Sequence, residues 1–124
     1  MSEKYEARPW GHFIVLDDEG YGKVKRIHVN PKQKLSYQSH EKRSEVWVIQ
    51  QGTGRAIRDG HEVQVKPGAV IVIEAGRKHR IINDHDLVPL VFTEVQIGVY
   101  YGEDDIVRYE DDYGRVADEG STKK

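Results

Sequence analysis

Cysteine is absent from this 124-residue chain. Disulfides and thiolate metal sites are therefore excluded, and a metal would have to be held by imidazole, carboxylate, amide oxygen or water. Charge of one sign is not in excess either: the formal net charge is −2 with acids and bases interspersed, which describes a solvated surface rather than a face for nucleic acid or membrane. No charged N-terminal region leads into an apolar stretch, and no apolar run nears the length of a bilayer span, so a cytoplasmic location is expected. A length of 124 residues suits one domain with one core and leaves no room for a second catalytic domain. Helical periodicity is also nearly missing, which points toward strands.

What is present is a series of short runs rich in Val, Ile, Thr and Tyr, punctuated by Gly, Pro, Asn and Asp. This pattern predicts an all-β chain, with strands near residues 11–17, 22–30, 34–40, 44–51, 53–59, 61–66, 69–74, 78–83 and 90–98. Asp59-Gly60, between two alternating runs, predicts a hairpin through a type I′ turn, which needs positive φ at both central residues. Lys66-Pro67-Gly68 and Ala75-Gly76 mark two further turns. Strands this short and numerous close into a sandwich or barrel, and the double-sheet jelly roll is the commonest small solution. No internal repeat is present, and the final "VADEGSTKK" has the composition of a frayed tail.

One stretch breaks the pattern of a plain buried strand. "LSYQSHEKRSEVWVIQQG", residues 35–52, carries Gln38, His40 and Glu45. Alternation puts Gln38 and His40 on one face, and the reach to Glu45 crosses a turn into the next strand, so the three can converge. A fourth candidate, His79, follows a glycine-centred turn in "GAVIVIEAGRKHRIIN". Four N/O ligands suit Zn²⁺, Mn²⁺, Fe²⁺, Co²⁺ or Ni²⁺ with positions left open. Each residue also has a plain alternative: Glu45 pairs with Arg43, and His40 or His79 is a hydrogen-bonded histidine at a strand end. The spacing of the whole set favours the metal.

That spacing resembles the cupin superfamily, with motifs G-x5-H-x-H-x3-4-E-x6-G and G-x5-P-x-G-x2-H-x3-N. The first is carried by Gln38, Ser39, His40, Glu45 and Gly52, and the second by Gly68, Glu74, Ala75, Gly76, His79 and Asn83. Gln38 replaces a histidine, Glu74 replaces the proline, and "NPKQK" stands where the first glycine would be. Within the cupins the chain is similar to the type II mannose-6-phosphate isomerase family, whose domain often follows a mannose-1-phosphate guanylyltransferase domain. "RPWG", "KVKRI", "LSYQSHEKRSEVWVI", "GRKHRIIN" and "EVQIGVYYGEDDIVRYEDDYGR" carry this likeness. The resemblance implies a double-stranded β-helix (jelly-roll) cupin domain over residues 1–115 with an N-terminal arm over about 1–10, and a flexible tail at 116–124. It further implies a metal set of Gln38, His40, Glu45 and His79, with Zn²⁺ the first choice, and interconversion of mannose 6-phosphate and fructose 6-phosphate. Pairing into a homodimer is expected, the arm "KYEARPWGHF" covering a neighbour's edge. Family members carry histidines after the Gln-x-His position and after the glutamate, where this chain has Glu41, Lys42 and Val46; if those histidines move protons, a catalytic group is missing here.

Aldose–ketose isomerisation needs a base, an acid and a stabiliser of the enediolate charge. The phosphate needs cations, for which Lys25, Arg43, Arg80 and Arg108 are candidates; Arg26 has opposite parity to Lys25, so only one of those two faces a cavity. Glu94, with Gln96 on the same face, is the candidate general base, and a salt bridge on the outer face is its plain alternative. Trp10, Trp47, Tyr100 and Tyr101 read as core or interface aromatics, His12, His28, His61 and His85 as surface residues, and "GEDDIVRYEDD" as a solvated acidic segment. Two rival functions remain: an Fe²⁺ dioxygenase built on His40, Glu45 and His79, and a non-catalytic cupin that binds a sugar or nucleotide sugar. Guanylyltransferase activity is not expected, since no Gly-rich phosphate loop precedes the motifs.

Overall fold

The computed structural model describes residues 4–102 and 104–110, and among them every regular element is a strand. In chain order these are β1 (Lys4–Arg8), β2 (Gly11–Glu19), β3 (Gly22–Val29), β4 (Tyr37–Ser39), β5 (Arg43–Gln51), β6 (Gly54–Arg58), β7 (His61–Val65), β8 (Val70–Ile73), β9 (His79–Ile82), β10 (Leu90–Gly98) and β11 (Val107–Glu110). They form a six-stranded sheet in the order β1-β2-β3-β10-β5-β8 and a five-stranded sheet in the order β11-β4-β9-β6-β7. This is the expected jelly roll. Among the described residues no helix is long and apolar enough to cross a membrane.

The Asp59-Gly60 turn takes φ values of 49° and 81°, the two positive angles its hairpin demands. Two strands were not legible in advance. β1 alternates Tyr5 and Ala7 with charged residues, but Glu6 and Arg8 are the half-buried positions and the apolar two are exposed; it pairs antiparallel with β2, so the arm expected to cover a neighbour's edge forms the edge strand of its own sheet. β11 lies in the acidic segment and pairs with β4 through an irregular register. β4 is shorter than the expected 34–40, with Lys34 joined to Ile82 only by an isolated bridge. The boundary at 115 and the tail at 116–124 lie outside the described residues.

The inward face of each central strand changes character along its length. On β10 it runs Leu90, Phe92, Glu94, Gln96; on β5, Ile49, Trp47, Glu45, Arg43; on β3, Val29, Ile27, Lys25. All of these are buried. The antiparallel register sets Phe92 beside Ile27 and Ile49, and Glu94 beside Lys25 and Trp47. One end of the barrel is therefore an apolar core with Trp47 and Phe92 rings 5.2 Å apart, and the other end is polar.

Asn83 ties the end of β3 to the β9–β10 connection beneath the apolar end. Its Nδ2 donates to Val29 O and Val88 O at 3.0 and 2.9 Å, and its Oδ1 accepts from His85 N at 3.0 Å. Replacing Asn83 by Ala would leave buried backbone groups unsatisfied and should cost about 2–4 kcal/mol of unfolding free energy. Urea denaturation measures it, and a loss below about 0.5 kcal/mol would mean that solvent makes good those bonds.

Candidate metal centre and its cavity

Three strands deliver the site. His40 follows β4, Glu45 is the third residue of β5, and His79 opens β9; all three are buried, and one ligand atom from each lies within 4.8 Å of the others. Gln38 sits directly across from His79 in the β4–β9 ladder, and Arg108 directly across from Gln38 in the β4–β11 ladder. The Gln38 amide nitrogen donates to Ser36 Oγ at 2.9 Å, so the amide oxygen is the atom Gln38 would offer a cation.

The hydrogen bonds assign the tautomers. His79 Nδ1 lies 3.0 Å from Arg77 O; a carbonyl only accepts, so Nδ1 carries a proton, and Nε2 is the atom that faces Glu45 Oε1, at 3.8 Å, the nitrogen open to a cation when the ring is neutral. Glu45 Oε1 also accepts from Trp47 Nε1 at 3.0 Å, and its Oε2 accepts from Arg43 Nε at 2.9 Å. Ligands of one tetrahedral ion lie about 3.3 Å apart, so these two imidazoles and the carboxylate would suit a borderline divalent ion once they draw closer and His40 turns a lone pair toward it.

Burial opposes ionisation of Glu45, but the His79 ring, the Arg43 guanidinium, the His40 ring and the Trp47 N–H outweigh it and hold the carboxyl down at about 2. Glu94 goes the other way: burial, then the nearby Glu45 charge, push it up to about 8 despite Lys25, Arg43 and Gln96. Glu94 is buried on the cavity wall, so the outer-face salt bridge that was its plain alternative does not apply. Gln96 is fully buried beside it, donates from Nε2 to Glu94 Oε2, and leaves its own Oε1 without a hydrogen-bond partner among the described residues.

Lys25, Arg43, Arg80 and Arg108 all line this cavity, as does Arg8, which the sequence reading did not single out. Arg26 is on the other face, as parity required. Lys25 Nζ lies 4.0 Å over the Phe13 ring. Arg80 donates from Nε to Leu35 O at 2.9 Å, and its buried Nη2 has no partner among the described residues. The cavity itself is about 60 Å³.

Other residues stand apart from their first reading. Tyr100 is exposed and Tyr101 half-buried, so neither belongs to the core; Tyr100 OH reaches Asp104 and Tyr101 OH donates to Gly98 O at 2.7 Å. His12 and His28 are half-buried and stacked 4.2 Å apart, with Tyr5 against His12. Asp105, read as part of a solvated segment, accepts from the backbone N–H of Glu41 and Lys42 at 3.3 and 2.9 Å and so holds the loop that carries His40. No local periodicity marks it.

A jelly roll with this donor set defines the chain as a cupin, and the solved double-stranded β-helix protein of Klebsiella pneumoniae has the same fold: TM-score 0.69, 17% identity, covering 87% of this chain and 86% of that one. The chain belongs to the mannose-6-phosphate isomerase C-terminal family, whose model matches residues 2–111. It is 43% identical over 109 residues to the xanthan biosynthesis protein XanB of Xanthomonas campestris, covering 88% of this chain and 23% of that protein. To the mannose-1-phosphate guanylyltransferase ManC of Salmonella typhimurium it is 41% identical over 109 residues, covering 88% and 22%. The chain thus spans under a quarter of these relatives' length and is a cupin domain of the type they carry.

Glu94 makes stability depend on pH. Its folded affinity for a proton exceeds the unfolded one, so the stability due to its protonated form is complete below pH 4.5 and is lost as the pH rises through 8. In metal-free protein, wild type should lose up to about 5 kcal/mol more over that span than Glu94→Gln does. Urea melts at fixed ionic strength test this; parallel curves for the two proteins would refute the raised value.

Proposed function

We propose that this chain is a metal-dependent sugar-phosphate isomerase domain that interconverts mannose 6-phosphate and fructose 6-phosphate through an enediolate. The observation that supports it is Glu94: a carboxyl buried beside Lys25 in the same cavity as the donor set, its pKa pushed up to about 8 by burial and the Glu45 charge. A group with that affinity can both give and take a proton at pH 7.

The divalent ion, Zn²⁺ first and Mn²⁺, Co²⁺, Ni²⁺ or Fe²⁺ as alternatives, would be held by His40, Glu45, His79 and the Gln38 amide oxygen. When bound it supplies Lewis-acid stabilisation of the sugar oxygens. Glu94 exchanges the proton between the adjacent carbons, and Gln96 fixes its carboxyl through Oε2. Lys25, Arg80 and Arg108, with Arg43, take the phosphate, Arg80 Nη2 being a buried donor with no protein acceptor among the described residues. His40, Glu45 and His79 are also a two-His-one-carboxylate set, which favours the Fe²⁺ dioxygenase as the second reading; the row of cations weighs toward phosphate.

The test is metal-loaded protein with mannose 6-phosphate in D₂O, followed by NMR. Loss of the C2 proton and appearance of fructose 6-phosphate are expected. His79→Ala should lose most of its metal, while Glu94→Gln should keep metal and sugar-phosphate binding but slow exchange by about 100-fold or more. Binding without exchange under any of the metals would replace the isomerase with a sugar-binding module.

The outer face of the six-stranded sheet supports a homodimer. Val48, Val70, Val72 and Ile97 are exposed there, on adjoining strands, and a second copy can cover them face to face. Light scattering at micromolar concentration should give twice the chain mass, and Val72→Lys should give the monomer; a monomeric wild type would remove the dimer.

A further inference from the structure

Arg43 stands in the way of the metal. Its Nη2 lies 3.0 Å from His40 Nε2, and because a guanidinium only donates, Nε2 is the acceptor and the His40 ring proton must be on Nδ1. That Nδ1–H points toward Glu45 Oε2, 3.5 Å away. In this tautomer, with the Arg43 bond in place, neither His40 nitrogen offers a lone pair to a cation. The contrast with His79, whose Nε2 is bare toward Glu45, is plain. Arg43 also holds Glu45 Oε2 at 2.9 Å through Nε and reaches Tyr101 O at 3.4 Å through Nη1. It is 5% exposed, so these are bonds in a dry site, where a charged group without a partner is costly.

We infer that Arg43 is an internal latch: its guanidinium neutralises Glu45 and ties up His40 in the metal-free protein, and a divalent ion must displace it to complete the centre. The inference rests on the metal reading above. Released from the ligand atoms, Arg43 stays on the wall of the cavity as a cation with no fixed carboxylate, suited to an anionic substrate group.

The experiment uses the full chain stripped of metal, with Zn²⁺ and Co²⁺ as probes, in wild type and Arg43→Met, which keeps the aliphatic stem. Metal-free Arg43→Met should melt several degrees below wild type, and saturating Zn²⁺ should close that gap, because the ion replaces the charge that was removed. Zn²⁺ should bind the variant about tenfold or more tightly than it binds wild type. A gap that persists in saturating Zn²⁺, or equal or weaker binding by the variant, overturns the latch and leaves Arg43 a fixed structural partner while the metal reading stands. If neither protein takes up Zn²⁺ or Co²⁺, the metal reading fails and the latch with it. Ring ¹⁵N spectra of wild type keep the question open to test if the variant does not fold. His40 should hold its proton on Nδ1 without metal and lose the Arg43-bonded state of Nε2 on adding Zn²⁺, while His79 keeps its Nδ1 proton; a metal-free His40 protonated on Nε2 would overturn the proposal.

Discussion

Glu45 is a carboxylate 2% exposed, and a charge in that position has to be answered by partners within hydrogen-bonding reach. Leaving such a group uncompensated costs about 3–5 kcal/mol, a large part of the stability of a domain this size. The polar end of the barrel follows from that requirement. Trp47, whose ring belongs to the core, turns its N–H to one oxygen; Arg43, two residues earlier on the same face of β5, covers the other; His79 and His40 close the remaining sides. The partners available to Glu45 are one permanent cation and two imidazoles. Any divalent ion entering the group competes for the same oxygens and nitrogen that stabilise the empty fold.

A second buried carboxylate in the same cavity feels the first. Glu45 takes the strong donors, so Glu94 is left with burial and like charge, and the two affinities for protons separate: one carboxyl stays ionised while the other holds its proton near neutral pH. The split in proton affinity thus arises from neighbours and register, since both are glutamates on adjacent antiparallel strands of one sheet. Their loop neighbours are held as firmly. His40 O accepts from Gly76 N at 2.7 Å, Lys42 O accepts from Val99 N at 3.1 Å, and Asp105 grips the amides between. Three separate segments therefore position one short loop.

Much of this was legible from alternation. The period of two set Lys25 and Arg26 on opposite faces, and the turn residues located the hairpin at Asp59-Gly60. Spacing gathered Gln38, His40, Glu45 and His79 on one barrel end. The same rule, applied from Phe92 to Glu94 and from Glu45 back to Arg43, would have put both in the cavity, so the outer-face alternative for Glu94 was avoidable. β1 was not readable: its half-buried positions are the charged Glu6 and Arg8 while Tyr5 and Ala7 are exposed, the reverse of the apolar-inward alternation that marks a strand. Asp105 and Arg8 were hidden for a different reason. Asp105 reaches backbone amides far along the chain, and Arg8 is a charged residue facing the cavity from an edge strand, where apolar alternation gives no sign of it.

The absent family histidines can be weighed by the same geometry. Val46 has the opposite parity to Glu45, pairs with Val72 and Val95, and lies on the outer face of the sheet, so a side chain at that position points away from the donor set. Glu41 and Lys42 are exposed on the turn after His40, their backbone amides held by Asp105. None of the three positions belongs to the cavity wall. A histidine there would alter the loop surface or the sheet's outer face, while the titratable groups inside the cavity, Glu45 and Glu94 among them, are set by other positions. The departure from the family pattern therefore bears on what this chain packs against more than on the chemistry its cavity can perform.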